Sequence, residues 1–289
     1  MCINKQIINN ALKFYEIEDE DYLNRCYKGV EFLNNNEDIY KKAKEIYSIL
    51  YKDNKNEIEK LWKIKNIEEI FGKDCDSYIT NILLLAGYEI HCNNMKKFKF
   101  DEEQYKIHKI RVKETLTKDI YERKYNGIRI SQMLWGAYFI NIRLIEVGRL
   151  QYEIETKNPI THENKECIKI HIPKGEKLSN EKVKQSIQES KSLIKKYFKL
   201  NNYQYFCESW LLSKQIQELL EENSNIAKFY KLFNVIEGKE CIDDILNFVY
   251  NIRECDNYSD LQENTLLQKK LKSMLMNGKI IKTGIGILK

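Results

Sequence analysis

The chain has 289 residues, 43% hydrophobic and 31% charged, with 2 prolines and 11 glycines. That supplies a packed core for one large domain or two ordinary ones and argues against long disordered linkers. Net charge is +5, from 48 basic and 43 acidic residues. Lys and Glu are interspersed along the whole chain, so the charge reads as solvated surface and no nucleic-acid partner is expected.

Helical periodicity dominates residues 1–146. Asp19–Asn34, Asp38–Tyr51 and Asn56–Lys65 are amphipathic segments with polar outer faces. Cys75–Asn93 contains the denser run Ile79, Ile82, Leu83, Leu84 and Leu85, which predicts a central helix. Asp101–Tyr125 spaces Val112, Leu116 and Ile120 as one stripe of a surface helix, and Gly127 breaks it. Ser131 is placed to cap a further helix through Trp135 and Tyr138 towards Glu146. This most apolar stretch, Ile128–Ile145, still carries Arg129, Gln132, Asn141 and Arg143. It therefore reads as a core helix and not as a membrane span.

After Gly148 the period changes to that of strands. Leu150, Tyr152 and Ile154 alternate with Arg149, Gln151 and Glu153, and Ile168, Ile170 and Ile172 alternate with Lys169 and His171. Pro173 lacks an N–H and ends the second strand. Ser179 or Asn180 caps the next helix, whose buried stripe is Val183, Ile187, Ile194 and Phe198. Tyr203–Leu212 reads as a central strand, apolar on both faces at its end. Ser224 caps a short helix bearing Ile226, Phe229 and Phe233. Asn234–Gly238 reads as a strand and Asp243–Tyr250 as a helix. Thr265-x-x-Gln268 is a capping box opening a helix to Met276, which Asn277-Gly278 stops. In the last strand Ile281, Thr283, Ile285 and Ile287 alternate with Lys282, Gly284 and Gly286, and the glycines leave one face bare.

The eight cysteines (Cys2, Cys26, Cys75, Cys92, Cys167, Cys207, Cys241 and Cys255) are scattered, with no Cys-x-x-Cys pair. A metal site is not expected. The opening Met-Cys-Ile-Asn-Lys has no apolar run of a signal peptide, so free thiols, a cytoplasmic location and no membrane partner are expected. Composition and periodicity thus define an α+β protein. Its most informative run is the strand, turn and helix start of Ile168–Asn180, a usual place to hold phosphate in such folds.

Five ordered motifs add a resemblance. They are Gly148-Arg149-Leu150-Gln151-Tyr152-Glu153; His171-Ile172-Pro173 with Gly175 and Leu178; Ser209-Trp210-Leu211-Leu212; Ser224-Asn225-Ile226 with Phe229 and Phe233; and Thr265-x-Leu267-Gln268. Together they resemble an uncharacterised bacterial acyltransferase-domain family, in which an N-acyltransferase helical N-terminal domain precedes a GNAT-like C-terminal domain. The likeness covers about residues 105–289 well and the first hundred loosely. It implies a helical domain over residues 1–146, packed on a GNAT-like mixed sheet with flanking helices over 147–289. It also implies acyl-CoA or acetyl-CoA as substrate, with the pantetheine along the strand Ile168–Ile172 where it splays from Tyr203–Leu212. The pyrophosphate would then lie on Pro173–Asn180, against Ile172, Lys174, Gly175, Lys177, Ser179 and Asn180. Familiar GNAT enzymes carry an Arg/Gln-x-x-Gly-x-Gly/Ala turn. This chain has Lys174-Gly175-Glu176-Lys177-Leu178-Ser179, with one glycine and a carboxylate that repels phosphate.

GNAT-type chemistry needs a base for an amine, a donor for the tetrahedral oxyanion and often an acid for the leaving thiolate. His171, on the polar face of its strand, is a base candidate, or it simply bonds neighbouring side chains. Glu153 and Gln151 share the polar face of the next strand, as cross-strand partners or, for Glu153, as a base. Glu208 either faces the cleft or is paired to a lysine. Cys207 reads as inert packing, and Ser209 as a hydroxyl satisfying backbone at a strand end. The leading expectation is an N-acyltransferase in which a small-molecule or peptide amine attacks the thioester directly. The alternative is a non-catalytic GNAT-derived binding or regulatory protein. Sequence sets neither the acceptor nor the oligomeric state.

Overall fold

The structure, a computed structural model, describes residues 3–52, 55–252 and 254–289. Cys2 and the start of the opening pentapeptide lie outside them. The chain divides into two compact units, residues 1–145 and 146–289.

The first unit is helical, as its periodicity predicts. Its helices are α1 (Lys5–Tyr15), α2 (Glu20–Asn35), α3 (Glu37–Tyr51), α4 (Lys55–Leu61), α5 (Glu68–Phe71), α6 (Ile79–Leu85), α7 (Tyr88–Lys97), α8 (Glu102–Tyr121) and α9 (Ile130–Ile140). Asn4, Asp19 and Asp101 cap α1, α2 and α8, each side chain accepting an N–H three residues on. Every residue of α6 is buried, so it is the centre of this unit's core.

Three expectations change here. The helix predicted over Cys75–Asn93 is two helices, separated at Ala86-Gly87. The Tyr51 hydroxyl donates to the Leu83 and Leu84 carbonyls that end α6, and its ring fills the space that a Cβ on Gly87 would need. Second, α8 is more than a surface helix: Gln104, His108, Thr115 and Asp119 are buried beside its apolar stripe. The Asp119 carboxylate is held by the Arg129 guanidinium, with Nε at 2.8 Å. Third, α9 begins before Ser131 and stops at Ile140. Asn94 Nδ2 donates to the Ile140 carbonyl, Asn141 Nδ2 donates to the Leu50 carbonyl, and Ile142 turns left-handed (φ 53°). The chain then enters the strand β1 (Leu144–Val147), where periodicity predicts the end of a helix.

The second unit continues with β2 (Leu150–Lys157), β3 (Asn164–His171), α10 (Asn180–Phe198), β4 (Gln204–Ser209), α11 (Lys214–Gln217), α12 (Asn225–Tyr230), β5 (Phe233–Glu240), α13 (Ile242–Ile245), α14 (Leu266–Met276) and β6 (Lys282–Leu288). The six strands form one mixed sheet in the order β1-β2-β3-β4-β6-β5. β3 is antiparallel to β2 and parallel to β4, while β6 is antiparallel to both β4 and β5. α10 covers one face through polar contacts. Tyr152 Oη meets Ser186 Oγ at 2.8 Å, and Tyr205 Oη meets Ser190 Oγ at 2.7 Å. A satellite core of Ile216, Ile245, Leu246, Tyr250, Leu271 and Leu275 lies among the later helices.

The local signals hold well in this unit. Ser179, Ser224 and Thr265 cap their helices, the last in the full box with Gln268. The strand predicted over Tyr203–Leu212 is shorter. It ends at Ser209, whose hydroxyl accepts from Leu211 N and opens a single 3-10 turn, Trp210–Leu212. That turn also explains the bare face of β6. A Cβ on Gly284 would stand 2.0 Å from the Leu212 carbonyl oxygen, so the glycine face is where the turn packs.

Candidate functional site

The β3–β4 ladder is short. It pairs Cys167 with Gln204, Ile168 with Tyr205 and Lys169 with Phe206, and then stops. β3 nevertheless runs on to His171, paired with β2, and β4 runs on to Ser209, paired with β6. Two parallel neighbours that keep their outer partners and lose each other must diverge. The sheet is therefore open beyond Lys169 and Phe206, and the backbone of Ile170–His171 on that side is released from β4. Pro173 stands two residues beyond the end of β3, where its missing N–H costs no ladder bond.

Strand alternation sets Gln151, Glu153 and Glu155 of β2, Lys169 and His171 of β3, and Glu208 of β4 on one face. His171 Nε2 lies 2.8 Å from Glu153 Oε2, a diagonal cross-strand pair, and Glu153 is 3% exposed. Gln151 donates to Glu146 at 2.6 Å. Lys169 Nζ lies 3.5 Å from Glu208 Oε2, and Lys239 approaches the other oxygen at 3.9 Å. The Lys169 ammonium is pulled down by burial, but Glu208, Glu153 and Glu155 outweigh that and hold it above the ordinary lysine value. The partner readings of these residues are observed. Histidine and glutamate are partners of each other, and Glu208 is paired to a lysine, all beside the opening.

The turn after β3 is built as follows. Gly175 has φ 139°, and no atom lies within 4 Å of where its Cβ would stand. Ser179 caps α10 by accepting from Lys182 N, and Asn180 is the first helical residue. Lys174 Nζ donates to Asn251 at 3.2 Å, and Lys177 is exposed. Ile172 links β3 to the turn. Glu176, a carboxylate expected to repel phosphate, is paired with Lys182, and that hydrogen bond holds its carboxyl below the usual range. Its charge is thereby offset within the turn. Cys207 is buried, and burial pushes its thiol up to about 12, so it is no nucleophile at neutral pH.

Two residues of this region escaped the sequence reading as site residues. Lys169 is the last residue of β3 on the β3–β4 ladder before the opening; its only signal was alternation. Arg149, nine-tenths buried and one residue before β2, donates from Nη1 to the Pro173 carbonyl at 2.9 Å and so ties the β1–β2 connection to the turn. Its signal was its place in the Gly148–Glu153 motif. A cleft of about 520 Å³ lies elsewhere, at the start of β4, lined by Lys191, Lys195, Tyr203 and Leu288. None of the predicted site residues lines it. Among the described residues no group of three or more His, Cys, Asp or Glu could hold a metal ion, and no helix is long and apolar enough to cross a membrane.

A mixed sheet opened between two parallel central strands, with the first strand feeding a turn and a long helix, defines the GNAT-like class of fold. The chain belongs to the family with a GNAT-like C-terminal domain, whose pattern matches residues 144–288. No curated protein sequence matches it. Solved structures of similar fold include an acyltransferase mutant in complex with octanoyl-CoA, 16% identical over 97% of this chain and 87% of that one, with a TM-score of 0.75. Another is an acyltransferase in complex with decanoyl-CoA and teicoplanin, 19% identical over 74% of this chain and 67% of that one, with a TM-score of 0.63. An acyltransferase in complex with decanoyl-CoA is 14% identical over 97% and 98%, with a TM-score of 0.64. At these identities the likeness is one of fold.

Proposed function

We propose that this protein is an acyl-CoA-dependent N-acyltransferase that works by direct attack of an amine on the thioester. The observation that carries the reading is the ladder that ends at Lys169 and Phe206, beside the His171–Glu153 pair. An opened sheet edge offers strand backbone to an extended pantetheine. The following turn and the start of α10 offer N–H groups and a positive dipole end to its pyrophosphate. Ile172, Lys174, Gly175, Lys177, Ser179 and Asn180 are the residues we assign to that contact. Lys174 would exchange its bond to Asn251 for phosphate. The neighbours that hold octanoyl- and decanoyl-CoA support this choice of substrate.

His171 is the base in this reading. Glu153 accepts from Nε2–H, which leaves the lone pair of the neutral ring on Nδ1, the atom that takes the amine proton. The amine nitrogen forms the C–N bond, the carbonyl becomes an oxyanion, and collapse breaks the C–S bond. The thiolate leaves and takes up the proton that His171 accepted from the amine; Glu208 stands beside the opening as the candidate relay between them. No covalent enzyme intermediate is required, in keeping with the buried Cys207. The acceptor is a small-molecule or peptide amine; the neighbour complexed with teicoplanin supports the first.

The runner-up, a GNAT-derived binding protein without catalysis, is favoured by the single glycine of the turn and by Ser179 being engaged as a cap. One experiment separates the two. Thermal unfolding is followed with acetyl-, octanoyl- and decanoyl-CoA and with desulfo-CoA, and an amine panel is then screened by mass spectrometry. A ligand at about a hundred times its Kd adds about 2.7 kcal/mol to stability, a rise of several degrees. Stabilisation followed by acyl transfer supports the enzyme; stabilisation with no transfer to any amine supports the binding protein. The CoA reading fails if no CoA species shifts unfolding at millimolar concentration.

A further inference from the structure

Lys169 stands on two ladders at the edge of the opening. It faces Glu153 across the β2–β3 ladder and Phe206 across the β3–β4 ladder, at the last pair before the opening. Its ammonium therefore lies between two carboxylates on one face. Glu208 is 3.5 Å away, and Glu153 holds the His171 ring at 2.8 Å. Glu155 from β2, Cys207 from β4, Lys239 from β5 and Asp244 from α13 complete the ionisable surroundings. Lys239 is mostly exposed, so Lys169 is the part-buried cation among several acids. Close acids of this kind repel one another. Asp244 reports the tendency: burial raises its carboxyl, Glu208 adds to the rise, and Lys239 and Lys169 oppose it.

We propose that Lys169 is a positioning residue of the candidate site, whose fixed charge, in register with Glu153 and paired with Glu208, favours the His171–Glu153 pair without an extra proton. That is the form able to accept a proton from an amine. The catalytic consequence rests on the acyltransferase reading; the electrostatic part rests on side-chain positions alone. A merely structural Lys169–Glu208 pair, part exposed at its head, would leave the titration of His171 unmoved when it is removed.

The test uses the full-length protein with Lys169→Met, Lys169→Gln and Lys169→Arg. The chain has only 4 histidines, so the His171 ring is followed by NMR through a pH titration, assigned by its loss in His171→Gln. Removing the charge should raise the His171–Glu153 midpoint by about half a pH unit or more, and Arg should return it towards wild type. In acyl transfer, the acid limb of kcat/KM should move up by the same amount in the Met and Gln variants. An unchanged His171 midpoint in a folded Met or Gln variant overturns the proposal. An unchanged acid limb in active variants overturns it as well. If the wild type transfers no acyl group, the acyltransferase reading has failed, and the NMR titration still decides the role of Lys169.

Discussion

Acid should weaken the helical unit through two histidines that play no part in the site. His91 and His108 are completely buried, with ring centroids 5.9 Å apart. His91 Nδ1 lies 3.0 Å from Tyr15 Oη and His108 Nδ1 lies 3.3 Å from the Phe139 carbonyl oxygen, while neither Nε2 has a hydrogen-bond partner among the described residues. Burial lowers both, His91 well below the ordinary value and His108 to about 3. In the unfolded chain each takes its proton near pH 6.5. The folded state thus binds fewer protons below that pH. Its full stability is present above about 6.5 and drains as the pH falls through about 5 towards 3. At pH 5, His108 alone costs about 1.5 units at ~1.36 kcal/mol each, or about 2 kcal/mol. For a unit of this size that is a fall of about 4–8 °C in Tm. His108→Phe removes the titration and keeps an aromatic ring among Phe100 and Phe139. The Phe139 carbonyl still accepts from Ile142 N at 3.1 Å, so no acceptor is orphaned. The assay is thermal unfolding by circular dichroism at pH 7.5 and 5.0. Wild type should lose more than His108→Phe by about 2 kcal/mol between the two. Equal losses would refute the reasoning, because carboxylate titrations are common to both proteins and cancel.

His171→Gln should lower kcat of acyl transfer by about a hundredfold or more, whereas Glu153→Gln, which leaves the ring in place but alters what it bonds, should cost less; pre-steady-state assays check both. Arg149→Met removes the bond to the Pro173 carbonyl and should raise KM for acyl-CoA about tenfold with little change in kcat, since a hydrogen bond from a charged donor is worth about 1.5–3 kcal/mol. Gly284→Ala drives a methyl group into the Leu212 carbonyl and should destabilise by about 1–3 kcal/mol, read as a lower denaturation midpoint.

Much of the fold was legible because its signals are local. Asp19, Asp101, Ser179, Ser224 and Thr265 announce helix starts by bonds that span three residues. Alternation over Leu150–Glu153 and Ile168–His171 announces strands whose apolar side faces α10. The errors fall where distant groups intervene. Tyr51 and Asn94 end helices that periodicity would continue, each by reaching carbonyls more than thirty residues away in sequence. β1 was hidden because an apolar run as short as Leu144–Val147 has no period of its own.

The candidate site divides in the same way. Sequence by itself determined the class of fold, the strand-turn-helix of Ile168–Asn180, and the polar identities of His171, Glu153 and Glu208, because these depend on neighbours along the chain. Only tertiary structure decided that His171 bonds Glu153, that Lys169 stands at the mouth of the opening against Glu208, and that Arg149 holds the turn. Those facts depend on strand register and on where the β3–β4 ladder stops. Register is a competition among pairings of residues far apart in sequence. A shift of one residue would turn every one of these side chains to the other face, leaving the composition of each strand unchanged.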